Sequence, residues 1–167
     1  MSRDEIVAIV DEQNNVAGSV PRWKMRAEGL PHRATYILVF NTAGDLFVQK
    51  RTVTKDIYPG YYDVATGGVV MAGETYHASA ASELEEELGI RGVELRQQIH
   101  FYHTDDGNRV WGRVYSCTYD GHVVLQEEEV ESGDYYPLEA IMKLSDREPF
   151  TPDGMYVLRR LLNETRI

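Results

Sequence analysis

Cysteine is nearly absent. The 167 residues include one, Cys117, so no disulfide can close within the chain, and a reducing compartment is the simple expectation. Long apolar runs are missing too: nothing approaches the roughly 18 residues that span a bilayer. Met1 to Gln13 carries two acids soon after Arg3 and has no apolar core, so it does not read as a signal peptide. The expectation is a cytoplasmic protein with no membrane partner. Basic residues are scarce, 17 Lys and Arg against 27 Asp and Glu, for a formal charge of −10. That balance repels nucleic-acid polymer. It does not exclude a small phosphorylated substrate, because a divalent cation can stand between two anions.

What is present is ordinary for a globular chain: 43% hydrophobic and 26% charged residues, enough for one well-filled core. No repeat or low-complexity segment interrupts it. Glu5–Asp11 and Val16–Ser19 read as strands around the turn Gln13-Asn14-Asn15, and Pro21–Gly29 as a short helix. Residues 1–30 are too few for their own core and should pack on a main body spanning 31–167. Ala34–Phe40 is the strongest strand and reads as central. Leu46–Arg51 should return beside it as a hairpin. Tyr62–Thr66, Val93–His103, Arg109–Tyr119 and His122–Gln126 read as further strands. Pro137–Leu144 and a segment from Thr151 to about Asn163 read as helices. Hairpins mixed with a few helices indicate an α+β fold, a mixed sheet covered by helices.

The informative segment is GVVMAGETYHASAASELEEELGI, Gly68 to Ile90. Glu74–Leu88 lacks Gly and Pro and is rich in Ala, Glu and Leu, so it predicts a helix that stops at Gly89. On a helical wheel Ala80, Leu84 and Leu88 share one stripe. Glu83, Glu86 and Glu87, spaced i, i+3 and i+4, share the adjacent one. Three like charges on one arc near a helix C-terminus are unfavourable alone. Two readings follow: a solvated acidic face, or a binding site for a hard divalent ion, for which magnesium or manganese suits oxygen ligands better than zinc.

This segment resembles the signature of the Nudix (MutT-like) family. In that signature Gly is followed by five residues and Glu, then seven residues and Arg-Glu. An aliphatic, any residue, Glu-Glu, any residue, Gly and an aliphatic complete it. Gly68, Glu74, Glu83, Leu84, Glu86, Glu87, Gly89 and Ile90 fill their places, and Ser82 stands where the family has arginine. The resemblance implies an α/β/α sandwich whose loop–helix–loop holds metal against a diphosphate. It implies metal ligation by Glu83, Glu86, Glu87 and the carbonyl of Gly67, and water activation by Glu87 or Glu86. Gly68, Glu74 and Gly89 become supports of the motif. Ser82 cannot supply the arginine's charge or fork, so a non-catalytic nucleotide or metal sensor is an alternative.

Outside the signature, His32-Arg33-Ala34, Gln49-Lys50-Arg51, Lys55 and Pro59-Gly60-Tyr61-Tyr62-Asp63 resemble a bacterial branch shared with type I isopentenyl-diphosphate isomerases. The isomerase carries cysteine just before the first signature glycine and histidine just after it. Here those places hold Gly67 and Val69, which argues against isomerisation. Glu129 matches a distal catalytic or metal-contacting glutamate. Arg51 and Lys55, with Arg33 as a weaker candidate, are the expected diphosphate contacts. His32 is either a second-site metal ligand or structural. Tyr61, Tyr62, Phe101, Tyr102 and Trp111 either stack on a base or prenyl chain or fill the core. The expected activity is metal-dependent hydrolysis of a diphosphate linkage in a nucleoside diphosphate-X or a related small molecule. The edges of the N-terminal hairpin offer a surface for a homodimer.

Overall fold

In the computed structural model, which describes residues 3–165, the chain order is β1 (Ile6–Val10), β2 (Val16–Pro21), α1 (Arg22–Glu28), β3 (His32–Phe40), β4 (Leu46–Arg51), β5 (Tyr62–Asp63), α2 (Tyr76–Leu88), β6 (Arg96–Asp105), β7 (Asn108–Thr118), β8 (Val130–Tyr136), α3 (Leu138–Ser145) and α4 (Pro152–Thr165). β3 is central, as its run of apolar residues requires: Ile37, Leu38 and Val39 are fully buried, which suits a strand covered on both faces. Its partner along nine positions is β7, running parallel, and β6 follows antiparallel. β1 meets β3 at Ile9–His32, and β2 forms the edge beyond β1.

The expected β3–β4 hairpin forms only at its base. Phe40 pairs with Leu46. β4 then turns away to pair with β8 and β5. The segment after β5 fills the opening: Thr66 bridges Ile37 and Val69 bridges Ala34, both antiparallel to β3. A chain crossing from one limb of the sheet to the other therefore passes through Gly67.

α2 covers one face. Tyr76, Ala80, Leu84 and Leu88 pack on Ile37, Val39, Tyr115 and Cys117. α3 and α4 cover the other, with Ile141, Val157, Leu158 and Leu161 against Leu38, Leu46 and Val114. The result is the expected α/β/α layering around a mixed sheet. Among the described residues no helix is long and apolar enough to cross a membrane.

Two expectations need correction. The acidic helix starts at Tyr76, not Glu74, because Thr75 is its N-cap and accepts the Ala78 N–H through its hydroxyl. His122–Gln126 is not a strand. Val124 and Gln126 donate instead to the Leu88 and Glu87 carbonyls, satisfying acceptors that a helix end leaves open. The missed strand is β8, whose polar sequence VESGDYY hides its ladder with β4.

A Cβ at Gly67 would lie 2.0 Å from the Thr35 carbonyl oxygen, with φ at +153°. Gly67→Ala must therefore separate the crossing segment from β3. We expect a loss of about 3 kcal/mol, read as a fall in melting temperature of roughly 6–12 °C.

Candidate active site

The opening between the two limbs is the mouth of a solvent-connected cavity of about 790 Å³. α2 presents Glu83, Glu86 and Glu87 to it from one side. The helix sits there because its Ala80–Leu84–Leu88 stripe packs down on the sheet. The neighbouring stripe is thereby drawn inward, leaving Glu83 9% and Glu87 5% exposed. Glu86 stays exposed and accepts a bond from the Ser82 hydroxyl at 3.3 Å. From the opposite side come Arg51 at the end of β4, Lys55 in the following loop and Glu129 before β8. Gly67 and Gly68 form part of the wall. The Gly68 carbonyl accepts the Thr35 N–H at 3.0 Å.

Burial, and then repulsion from Glu87 and Glu86, pushes the Glu83 carboxyl up to about 8. Burial likewise raises Glu87 to about 7, and its Oε2 is buried without a hydrogen-bond partner. Glu129 behaves in the opposite way. Burial opposes its ionisation, but the cations around it, Lys55 foremost, outweigh that and hold it below the usual range. Lys55 Nζ donates to Glu129 Oε2. Arg51 is pinned by two bonds to the Ile57 carbonyl, at 3.2 and 2.9 Å, and lies 3.8 Å from Asp63 Oδ2. Lys55 and Arg51 both favour the ionised form of Glu87, although burial outweighs them.

Among the described residues no three acidic, imidazole or thiol side chains form a ready-made cluster for a metal ion. The donors nonetheless fit a hard divalent cation. They are carboxylate oxygens, one of them buried and unpaired, and burial first, then nearby carboxylates, raises two of their pKa values. Glu83, Glu86, Glu87 and Glu129 with the Gly67 backbone would hold it.

Other candidates lie elsewhere. Arg33 does not line the cavity: its Nε and Nη2 donate to Asn14 Oδ1 and carbonyl, at 2.9 and 2.7 Å, and it sits over the Tyr76 ring. Gly89 ends α2 in the left-handed conformation at φ +68°, and Glu74 lies in the preceding loop. None of Tyr61, Tyr62, Phe101, Tyr102 or Trp111 lines the cavity, whose aromatic residues are Tyr36 and Tyr58. Tyr62 stacks on Phe150, while Phe101 packs at a tilt on Tyr36 and Tyr102 at a tilt on Trp111. Cys117 is buried under α2, and burial lifts its thiol to about 11, so it is not poised to move protons. His32 does reach the cavity wall. The residue is 2% exposed and its Nδ1 donates to the Leu30 carbonyl at 3.0 Å.

Sequence reasoning missed Arg22, Arg26, Asp56, Asp63 and Asp153, all of which line the cavity. The i, i+4 spacing of the two arginines was visible, but nothing in the sequence brings α1 to the motif. Tyr36 donates to Asp153 Oδ2 at 2.8 Å. Burial pushes Asp63 up to about 6.

The comparisons with known proteins agree with this geometry. The family model for the NUDIX domain matches residues 30–161. PA4841 of Pseudomonas aeruginosa, an uncharacterized Nudix hydrolase, is 46% identical over 159 residues, covering 95% of this chain and 94% of the relative. The crystal structure of DR0079 from Deinococcus radiodurans superposes with a TM-score of 0.83 at 23% identity, over 94% of this chain and 99% of that one. The NUDIX domain of Shewanella oneidensis NrtR, complexed with ADP ribose, superposes with a TM-score of 0.64 at 11% identity, over 81% and 87%.

Burial, and then the nearby Arg26 charge, drives the His32 pKa down from 6.5 to about 3. Between those values the unfolded chain binds a proton that the folded chain refuses. Stability therefore falls as pH drops below about 6.5, by up to about 4–5 kcal/mol near pH 3. In chemical denaturation from pH 7 to 4, the gap between wild type and His32→Gln should shift in favour of the variant as pH falls. A gap that stays constant would contradict this.

Proposed function

The chain belongs to the Nudix hydrolase family, and on that premise we propose that it hydrolyses the diphosphate linkage of a nucleoside diphosphate joined to a second group, using magnesium or manganese. The observation that carries the reading is the buried, unpaired Oε2 of Glu87, in a cavity that Lys55 and Arg51 also line. That oxygen is placed to accept a proton from a water molecule in the cavity. Glu86, exposed and bonded to Ser82, is the weaker candidate.

When bound, the divalent ion supplies positive charge to the diphosphate oxygens and acidifies water. The protein's own groups do the rest. Glu83, Glu86, Glu87 and Glu129, with the Gly67 backbone, would hold the ion. Arg51, fixed by the Ile57 carbonyl and Asp63, presents a preset charge to the diphosphate. As water attacks, a P–O bond forms and the bridging P–O bond breaks. The water's proton passes to Glu87 Oε2. The departing phosphate leaves as an anion balanced by Lys55 and Arg51. ADP ribose, the ligand of the NrtR domain, is a molecule of the proposed class.

Lys55 and Arg51 bring positive charge to the cavity without an arginine at position 82, which favours catalysis over a silent sensor. Isomerisation finds no support: Cys117, the sole thiol, lies under α2, outside the cavity lining.

Glu87→Gln should lower kcat on a turned-over nucleoside diphosphate-X by about 10²- to 10⁴-fold. The rise in melting temperature that magnesium gives the wild type should shrink with it. Unchanged magnesium-dependent turnover in the variant would remove Glu87 from the mechanism.

A further inference from the structure

Beyond Arg51 the cavity lining continues to β3 and the first turn of α4, and Asp63 on β5 is the link. Asp63 Oδ2 lies 3.8 Å from Arg51 Nη1. On its other side a Cβ added to Gly154 would come within 2.6 Å of Asp63 Oδ1. The first turn of α4 is therefore pressed against Asp63, and it carries the next carboxylate of the lining, Asp153. Electrostatics give the same order. Glu87 feels Arg51 and Asp63. Burial lifts Asp63 to about 6, with Arg51 opposing the rise and Asp153 adding to it.

Asp153 is held in place without an ion pair among the described residues. The lining's cations pair elsewhere: Arg22 and Arg26 with Asp56, Arg51 with Asp63, and Lys55 with Glu129. Asp153 Oδ2 accepts the Tyr36 hydroxyl at 2.8 Å, and Oδ1 accepts the Gly154 N–H at 3.2 Å. An ionised carboxylate offers about four acceptor positions, so these two bonds leave capacity unused. The neighbouring hydroxyls cannot take it up. Tyr36 has already given its proton to Asp153, and Tyr58, which feels the Asp153 charge, donates its own to Asp105 Oδ1. The unused acceptors belong to a half-buried side chain in the wall of the cavity.

We propose that Asp153, aimed by Tyr36, selects the nucleoside part of the substrate by accepting a hydrogen bond from one of its neutral donors, a sugar hydroxyl or an exocyclic amine. This rests on the diphosphate reading above and narrows it. An O–H or N–H placed beside Asp153 gains a charge-assisted bond, whereas a second anion there meets like charge at close range. The diphosphate is thereby directed to the glutamate end and the nucleoside to the α4 end.

The test compares four ligands on the full chain: ADP ribose, its hypoxanthine analogue without the exocyclic amine, and its 2′-deoxyadenosine and 3′-deoxyadenosine analogues. Magnesium-dependent turnover and calorimetric binding are measured for each. At least one analogue should be disfavoured by about 10- to 100-fold relative to ADP ribose. A penalty confined to the hypoxanthine analogue assigns the donor to the base, and one confined to a deoxy analogue assigns it to the sugar. Asp153→Ala should bring the affected ratio close to one. Asp153→Asn, which keeps the size and one acceptor oxygen, should retain part of it, and Tyr36→Phe, which leaves the carboxylate untethered, should weaken it. A purely structural role for Asp153 would instead lower all four ligands equally. That uniform loss, equal binding of all four by wild type, a ratio that survives Asp153→Ala, or no binding of ADP ribose would overturn the proposal. Donor-dependent binding without turnover would support Asp153 and overturn the hydrolase reading. Turnover without discrimination would do the reverse.

Discussion

The central constraint in this molecule is the cost of holding carboxylates where water is scarce. Glu83 and Glu87 flank the stripe with which α2 packs on the sheet, and burying that stripe drags them inward. Their raised pKa values record that cost as displaced protonation. Apolar packing of Ala80, Leu84 and Leu88 holds the helix in place regardless. The side chains that stabilise the fold and those that strain it are neighbours on one helix, so the strain cannot relax by moving the helix away.

Relief comes from the far limb of the sheet. Lys55 and Arg51 reach the cavity because β3 and β4 part after a single pair. Had the hairpin zipped fully, the Gly67 segment could not pass along β3, and the cations would not face the glutamates. The splay thus creates the cavity, places the crossing glycine in its wall and sets opposite charges across it. The serine in the family's arginine position becomes intelligible in this setting. Position 82 faces outward, while Lys55 and Arg51 line the cavity.

The α1 end of the cavity holds charges of both signs. The short helix after the N-terminal hairpin carries Arg22 and Arg26 on one side, and Asp56 ties them to the loop that also bears Lys55.

Much of this was legible beforehand because it depends on local pattern. The apolar run at 34–40 could only be a buried strand. The glutamates of the signature could only line one arc of a helix, and the lone cysteine excluded a disulfide. Errors arose where a long-range partner overrode the local signal. The α2 C-terminus captured residues 124–126, a ladder with β4 made a strand of the polar segment 130–136, and Asn14 claimed Arg33. By itself, then, the sequence determined the helix, its charge and its chemical class, all set by spacing along one element. Only the tertiary structure decided which cations answer that charge, because electrostatic partners act through space and the chain reaches these positions from separate elements.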